Sequence, residues 1–325
     1  MNDRAIGRRT FLTAAGAAAL TAAGALNPAP GHGQQPVRDS TGTQPSKVKA
    51  PANAADCHIH IYDSRFPQSN PRPGLNPKNA TVQDYRLMQR RTGTSRVVIV
   101  TPRNYATDNR VTLDALQQLG ASARGVAVVN QTVTDAELKS LNDGGIRGIR
   151  FTLGDPATAV VRWEMVEPLA KRAADIGWHL QFNIDGELIV ANADLLRRLP
   201  TQLVFDHMGQ PPLPAGPEHA SFAILHGLID RGRTWVKLFA AYDNSKIGPP
   251  DYPEATRIAK AFIKAAPERM VWGSDWPHRG AQNKQQQPDD ALLFDLLAVW
   301  APEEATRRRI LVENPENLYG FAKSA

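Results

Sequence analysis

Two histidines one residue apart, His58 and His60, sit in the run DCHIHIYD at residues 56–63. In an extended strand residues i and i+2 point to one face, so both imidazoles look the same way. Imidazole can ligate a metal, move a proton, or sit as a satisfied polar group in a barrel wall. The spacing alone leaves all three open. Further along the chain, His207 ends QLVFDH, Asp275 ends MVWGSD, and His278 follows three residues later. A carboxylate among histidines suits proton transfer to a reacting group or the holding of a cation.

Whether these residues meet depends on the elements that carry them. From Ala54 onward, short apolar runs alternate with amphipathic stretches. The runs are DCHIHI, RVVIVTP, GVAVVN, IRGIRFTL, HLQFNI, QLVFDH, WVKLF and MVWGSD, beginning near residues 56, 96, 125, 146, 179, 202, 235 and 270. Helical periodicity is expected over 111–121, 134–142, 161–176, 187–199, 222–231 and 253–265, with Thr134 and Glu137 forming a cap. Strands buried on both faces and alternating with helices predict a parallel sheet closed into a (β/α)8 barrel. No first strand-to-helix turn carries G-x-G-x-x-G, which argues against a doubly wound open sheet. Two further helices, 290–300 and 302–312, are expected to close and cap the barrel.

Barrel chemistry gathers at the C-terminal ends of the strands. Those ends carry His58 and His60 on strand one, Thr101 on strand two, Asn130 on strand three, and Arg147 and Arg150 on strand four. Asn183 and Asp185 end strand five, Asp206 and His207 strand six, and Ser274 and Asp275 strand eight, while strand seven leads to Tyr242. Strands eight and one are neighbours in a closed barrel, so Asp275 is expected beside the histidine pair. His179 begins strand five, at the opposite end, and is not expected to join. Pro-rich segments at 62–81, 208–217 and 241–253 are expected to shape the pocket, with Tyr62, Tyr242 and His278 lining it.

The rest of the chain bounds the setting. Cys57 is the single cysteine, so no intramolecular disulfide forms. Residues 1–33 carry Arg8-Arg9 and then an Ala/Gly/Leu run too short and mild to span a bilayer. They are expected to be a Tat-type export signal, which implies a periplasmic protein with no membrane anchor. Residues 34–53 are polar and lack an apolar period, and are expected to be a disordered linker. Residues 54–325 are expected to form one barrel. The net charge is +6, but basic residues are scattered and no basic-aromatic interleaving points to nucleic acid. A mild positive excess suits a small anionic substrate. Oligomeric state is not legible.

The blocks DCHIHIYDSRFP, VFDHMGQP and WGSDWPH, in that order, resemble the amidohydrolase superfamily. Within it they are most similar to the branch of 2-pyrone-dicarboxylate and sugar-lactone enzymes, over about residues 54–319. The resemblance implies that Asp275 is the general base that activates water. It implies that His58, His60 and His207 polarise the substrate carbonyl, and that Arg150 and Arg147 bind a substrate carboxylate. Thr101 and Asn183, at strand ends, are expected to touch substrate as well. The branch's arginine after strand seven is absent from LFAAYDNS, which favours a lactone with fewer carboxylates and more hydroxyls, such as an aldarolactone. Metal-dependent relatives use a strand-five histidine or a strand-four lysine, and neither is present here, so no cofactor is expected. The alternatives are a zinc-dependent decarboxylase with His58, His60 and Asp275 as ligands, a lactone isomerase, and a barrel that only binds a sugar acid or aromatic acid.

Overall fold

The computed structural model describes residues 36–70, 77, 79–154, 159–279 and 287–324; the expected export signal lies outside them. Eight parallel strands follow one another around a single sheet. They are β1 (Ala55–Ile59), β2 (Arg96–Val100), β3 (Ala123–Ala127), β4 (Ile146–Thr152), β5 (His179–Asn183), β6 (Leu203–Phe205), β7 (Thr234–Leu238) and β8 (Met270–Trp272). Just past β8, Asp275 N–H donates to His58 O and His60 N–H donates to Trp276 O, both at 2.9 Å, and these bonds join the last strand to the first. The fold is a (β/α)8 barrel, as the alternating pattern required.

The helices lie outside. They are α1 (Val82–Thr92), α2 (Arg110–Leu119), α3 (Asp135–Asp143), α4 (Val166–Asp175), α5 (Gly186–Ala191), α6 (Ala193–Arg198), α7 (Ala220–Asp230) and α8 (Pro253–Ala265). Three more, α9 (Asp290–Trp300), α10 (Glu304–Arg308) and α11 (Asn314–Tyr319), complete the chain. The Thr134–Glu137 capping box opens α3 as its sequence demands. The stretch expected as one helix over 187–199 is two, parted at Asn192.

Side chains divide by strand parity. One apolar cluster (Ala55, Cys57, Val98, Val100, Val126, Val204, Trp235, Val271) fills the barrel floor, closed by Leu318, Tyr319 and Phe321 from the C-terminus. A larger cluster packs the strands against the helices. Regular alternation would place Cys57 and His58 on opposite faces. A register shift between Asp56 and Ile59 in the β1–β2 pairing breaks that alternation just below the histidine pair.

Residues 36–53, expected as a disordered linker, instead form a strap against the barrel. Arg91 on α1 donates to Gln44 O at 2.7 Å, to Thr41 O at 2.7 Å and to the Asp289 carboxylate at 2.6 Å. Val37 is buried, and Trp276 Nε1–H donates to Arg38 O at 2.7 Å. Polar composition misled here because the strap is held by its carbonyl oxygens, which any residue supplies.

Candidate active site

His58 and His60 meet at their Nε2 atoms, 3.3 Å apart, at the C-terminal end of β1. The close passage of β8 depends on Gly273, since a Cβ there would lie 2.8 Å from His58 Cβ. Asp275 enters from the turn after β8, its Oδ1 3.6 Å from His58 Nε2 and 3.9 Å from His60 Nε2. Its other oxygen, Oδ2, accepts from the Tyr242 hydroxyl at 2.7 Å. Behind Tyr242, His278 Nδ1 lies 3.3 Å from the hydroxyl, and its Nε2 faces Asp290 Oδ1 at 3.0 Å. Tyr242 and His278, expected to line the pocket, therefore hold the catalytic carboxylate candidate from behind. His207 joins from the turn after β6, its ring centroid 6.1 Å from that of His58. His207, Asp275 and His278 all have positive φ (51°, 65° and 59°) although none is glycine. Such backbone persists only where surrounding bonds impose it, and it clusters at functional sites.

Hydrogen bonding assigns two of the three ring tautomers directly. His60 Nδ1 lies 2.8 Å from Val100 O, which can only accept, so Nδ1 carries the hydrogen and Nε2 presents a lone pair. Burial, with the Arg150 charge nearby, holds the His60 pKa well below its usual value, so the ring is neutral. His60 is thus an acceptor toward the site, where the resemblance implied a donor. His207 Nδ1 faces the Gln210 amide nitrogen at 2.8 Å and accepts from it, which leaves Nε2–H as a donor.

Beneath the histidines lies a buried charged layer. Asp206 Oδ2 accepts from Arg150 Nε at 3.0 Å and from Gln181 Nε2 at 3.1 Å. Lys237 Nζ donates to Cys57 O and Gln181 Oε1, both at 2.8 Å, and lies 3.2 Å from His58 Nδ1. Burial lowers the Lys237 pKa to about 8, opposed by Asp206. Burial alone would raise Asp206, but the facing His58, Arg150 and Lys237 hold it well below the usual carboxylate range. Burial is also the main reason His58 is held well below its usual value. Asp275, by contrast, is pushed up by burial, only partly offset by His207 and Tyr242.

Asp56 on β1 anchors the frame. Its carboxylate accepts from the Ser274 hydroxyl at 2.6 Å, Ser274 N–H at 2.9 Å, His58 N–H at 3.2 Å and Tyr85 OH at 3.3 Å. One side chain thus ties the backbone of His58 to the residue before Asp275. Burial pushes Asp56 up to about 7.

Of the remaining expected residues, Arg150 joins the site, and Asn183 does so through Gln210, which donates to Asn183 Oδ1 at 3.2 Å. Tyr62 is buried two residues beyond His60, its ring 6.1 Å from Tyr105, and the Arg279 charge acts on its hydroxyl. Arg147 does not join: its guanidinium bonds Asn142 O at 2.9 Å and Ile146 O at 2.6 Å, at the start of β4. An odd separation from Arg150 puts it on the other strand face. Thr101 turns away too, bonding Asn109 Oδ1 and Thr112 Oγ1 at 2.8 Å on the α2 side. Gln181 and Lys237 were not singled out, and Asp206 was named only as a strand-six end without a role. The signal was a lysine inside the apolar run WVKLF, since a charge in a strand buried on both faces requires a partner.

An open cavity of about 630 Å³ adjoins this centre, with Gln210, Tyr242, Asp185, Asn244 and Lys246 among its walls. Two of the three Pro-rich segments, 208–217 and 241–253, contribute to it. One ligand atom each from His58, His60 and Asp275 lie within 4.8 Å of one another, close enough to share a cation. No helix among the described residues is long and apolar enough to cross a membrane.

Comparison with known proteins agrees with the geometry. The Amidohydrolase (Amidohydro_2) family model matches residues 55–321. The 4-sulfomuconolactone hydrolase of Rhizobium radiobacter is 32% identical, over 85% of this chain and 93% of its own. The 2-pyrone-4,6-dicarboxylate hydrolase of Comamonas testosteroni has the same identity and coverage. The D-galactarolactone isomerase of Agrobacterium fabrum is 32% identical over 87% of this chain and 96% of its own. A crystal structure from Agrobacterium tumefaciens superposes with a TM-score of 0.77 at 31% identity, covering 85% of this chain and 98% of that one. The chain belongs to the amidohydrolase family, in which its relatives are named as lactone hydrolases and a lactone isomerase.

Proposed function

We propose that the chain opens a carboxylated lactone with water activated by Asp275, without a metal. The division of labour within the Asp275 carboxylate carries this reading. Oδ2 is committed to Tyr242, while Oδ1 stands beside the histidine pair. Among the described residues no lysine or arginine is paired with it, as a purely structural carboxylate in a binding protein would require. Burial raises its pKa, which makes it a better base than a surface aspartate.

In this reading substrate and water displace the His58–His60 contact: water sits between Asp275 Oδ1 and the His60 Nε2 lone pair, and the lactone carbonyl oxygen accepts from the released His58 Nε2–H and from His207. Water attacks the carbonyl carbon as Asp275 takes its proton, and the two N–H groups hold the oxyanion. The ring C–O bond then breaks, and Asp275 returns the proton to the departing oxygen. The products are a hydroxyl and a carboxylic acid, which releases its proton to water as the carboxylate. Arg150, its Nε anchored by Asp206, offers its remaining guanidinium nitrogens to a substrate carboxylate.

His58, His60 and Asp275 would fit zinc by number and spacing. When bound, zinc would supply a Lewis acid at the carbonyl. The metal-free reading is preferred because an activated ester carbonyl needs less polarisation than an amide, and the N–H groups of His58 and His207 can supply it.

The test is turnover of a lactone panel in H2(18)O with and without chelator. Hydrolysis places one 18O in the product carboxylate, and chelator leaves the rate unchanged. Product free of 18O would overturn hydrolysis in favour of isomerisation, a reading consistent with the isomerase relative, in which a substrate hydroxyl takes the place of water. Loss of activity on zinc removal would overturn metal independence.

A further inference from the structure

The His58 ring is contacted at both nitrogens by groups that constrain where its hydrogen sits. Lys237 Nζ donates to two carbonyl-type oxygens, Cys57 O and Gln181 Oε1, at 2.8 Å each. As an ammonium it has a third hydrogen, and His58 Nδ1 at 3.2 Å is nearer than Asp206 Oδ1 at 3.8 Å. The Gln181 amide is oriented by that same lysine, so its Nε2 also turns donors toward Asp206 and toward His58 Nδ1 at 3.4 Å. Asp206 Oδ1 lies 3.3 Å from His58 Nδ1, yet it makes no hydrogen bond among the described residues. With the Lys237 and Gln181 donors both turned to Nδ1 and no aligned bond from it to Asp206, the geometry favours a lone pair there and the hydrogen at Nε2.

The opposite end of the ring agrees independently. His60 presents a lone pair at Nε2, because its Nδ1 hydrogen is spent on Val100 O. His58 Nε2, 3.3 Å away, forms a hydrogen bond with it only by donating.

We propose that Lys237 is a positioning residue that holds His58 in its Nε2–H tautomer, making it a carbonyl donor and denying its Nε2 lone pair to a cation. The inference rests on the metal-free reading above and gives its physical cause. A metal-binding imidazole needs the reverse arrangement, with Nδ1–H bonded to a carboxylate or carbonyl and Nε2 free. His60 already has that arrangement through Val100. For His58 the acceptor exists in Asp206 Oδ1, and Lys237 blocks its use. One buried lysine thus separates an oxyanion donor from a zinc ligand at the same ring.

The test uses the full chain labelled with 15N-histidine, in which long-range 1H–15N correlation reads each tautomer, and a His58→Gln sample identifies the His58 signals. The wild type is expected to show His58 protonated at Nε2 and to retain no zinc after incubation with zinc and dialysis. Lys237→Met, apolar and similar in length, is expected to move the hydrogen to Nδ1 and to retain stoichiometric zinc by elemental analysis. A wild type protonated at Nδ1 would overturn the proposal, as would a folded Lys237→Met that keeps Nε2–H and takes up no zinc. If that variant does not fold, the wild-type spectrum alone decides. Metal-free lactone hydrolysis with His58 protonated at Nδ1 would refute Lys237's role but not the function. An Nε2–H, zinc-poor protein that opens no lactone would refute the function but not the role.

Discussion

Two buried histidines occupy the inside of the same barrel and do different things. His179, at the start of β5, packs edge-on against Tyr319 at 5.4 Å on the apolar floor. Its Nε2 makes no hydrogen bond among the described residues, and burial drives its pKa down to about 3. It is accommodated because β4 offers Gly148, where a Cβ would come within 2.4 Å of the ring. His58, a few residues further toward the barrel mouth, is equally buried but has polar neighbours at both nitrogens. Both rings are neutral for the same reason, loss of water. Only the second has polar partners at both nitrogens, and only the second stands beside Asp275. Burial alone therefore does not make a histidine functional; directed hydrogen bonding at both ends does.

The contrast is broken or sharpened first by substitution at the two rings. His58→Gln is expected to lower kcat by about 10²–10³-fold, the cost of losing one oxyanion donor. His179→Leu, which replaces a ring that bonds little, is expected to keep kcat within about threefold. A comparable loss at both positions would erase the distinction between floor and mouth.

The charged layer that separates the two comes next. Asp206→Ala leaves Arg150 and Lys237 buried without their counter-ion, and is expected to cost roughly 3–5 kcal/mol of stability in urea unfolding. A change under about 1 kcal/mol would mean that water reaches this layer.

A smaller effect tests the frame behind Asp275. Tyr242 donates to the carboxylate and so favours its ionised form. Tyr242→Phe should raise the Asp275 pKa further. Since the base must be ionised to work, the rise of kcat/KM with pH should move to higher pH. A shift to lower pH, or none, would mean that Tyr242 does not bond Asp275 in solution. Last, Arg147→Ala is expected to change KM less than twofold while Arg150→Ala raises it at least tenfold, about 1.4 kcal/mol. Equal effects would contradict the separation of the two arginines by strand face.

Much of the barrel was legible because each strand is an apolar run and each helix a periodic one. His58, His60, His207 and Asp275 were legible for a related reason: a polar residue ending an apolar strand has a defined place in a closed barrel. What stayed hidden depended on distant partners. Lys237 and Gln181 read as irregularities in apolar strands until Asp206 and Cys57 O are seen beside them. The role of Asp56 needed Ser274, 218 residues away. Thr101 was misread because strand parity was not applied: Val98 and Val100 line the interior, so the next residue faces α2. The strap at 36–53 gives no apolar period, being held by carbonyl oxygens that no side-chain pattern records.

The central claim is that Asp275 Oδ1 takes the proton from attacking water. The most direct measurement compares Asp275→Asn with wild type, using pre-steady-state lactone opening and, separately, equilibrium binding of the ring-opened product. Asparagine keeps the shape and a hydrogen-bonding oxygen but cannot accept the proton. The account predicts a rate of opening reduced by several orders of magnitude, about 10³-fold or more, with product affinity unchanged within about threefold. Opening that stays within about tenfold of wild type would contradict it.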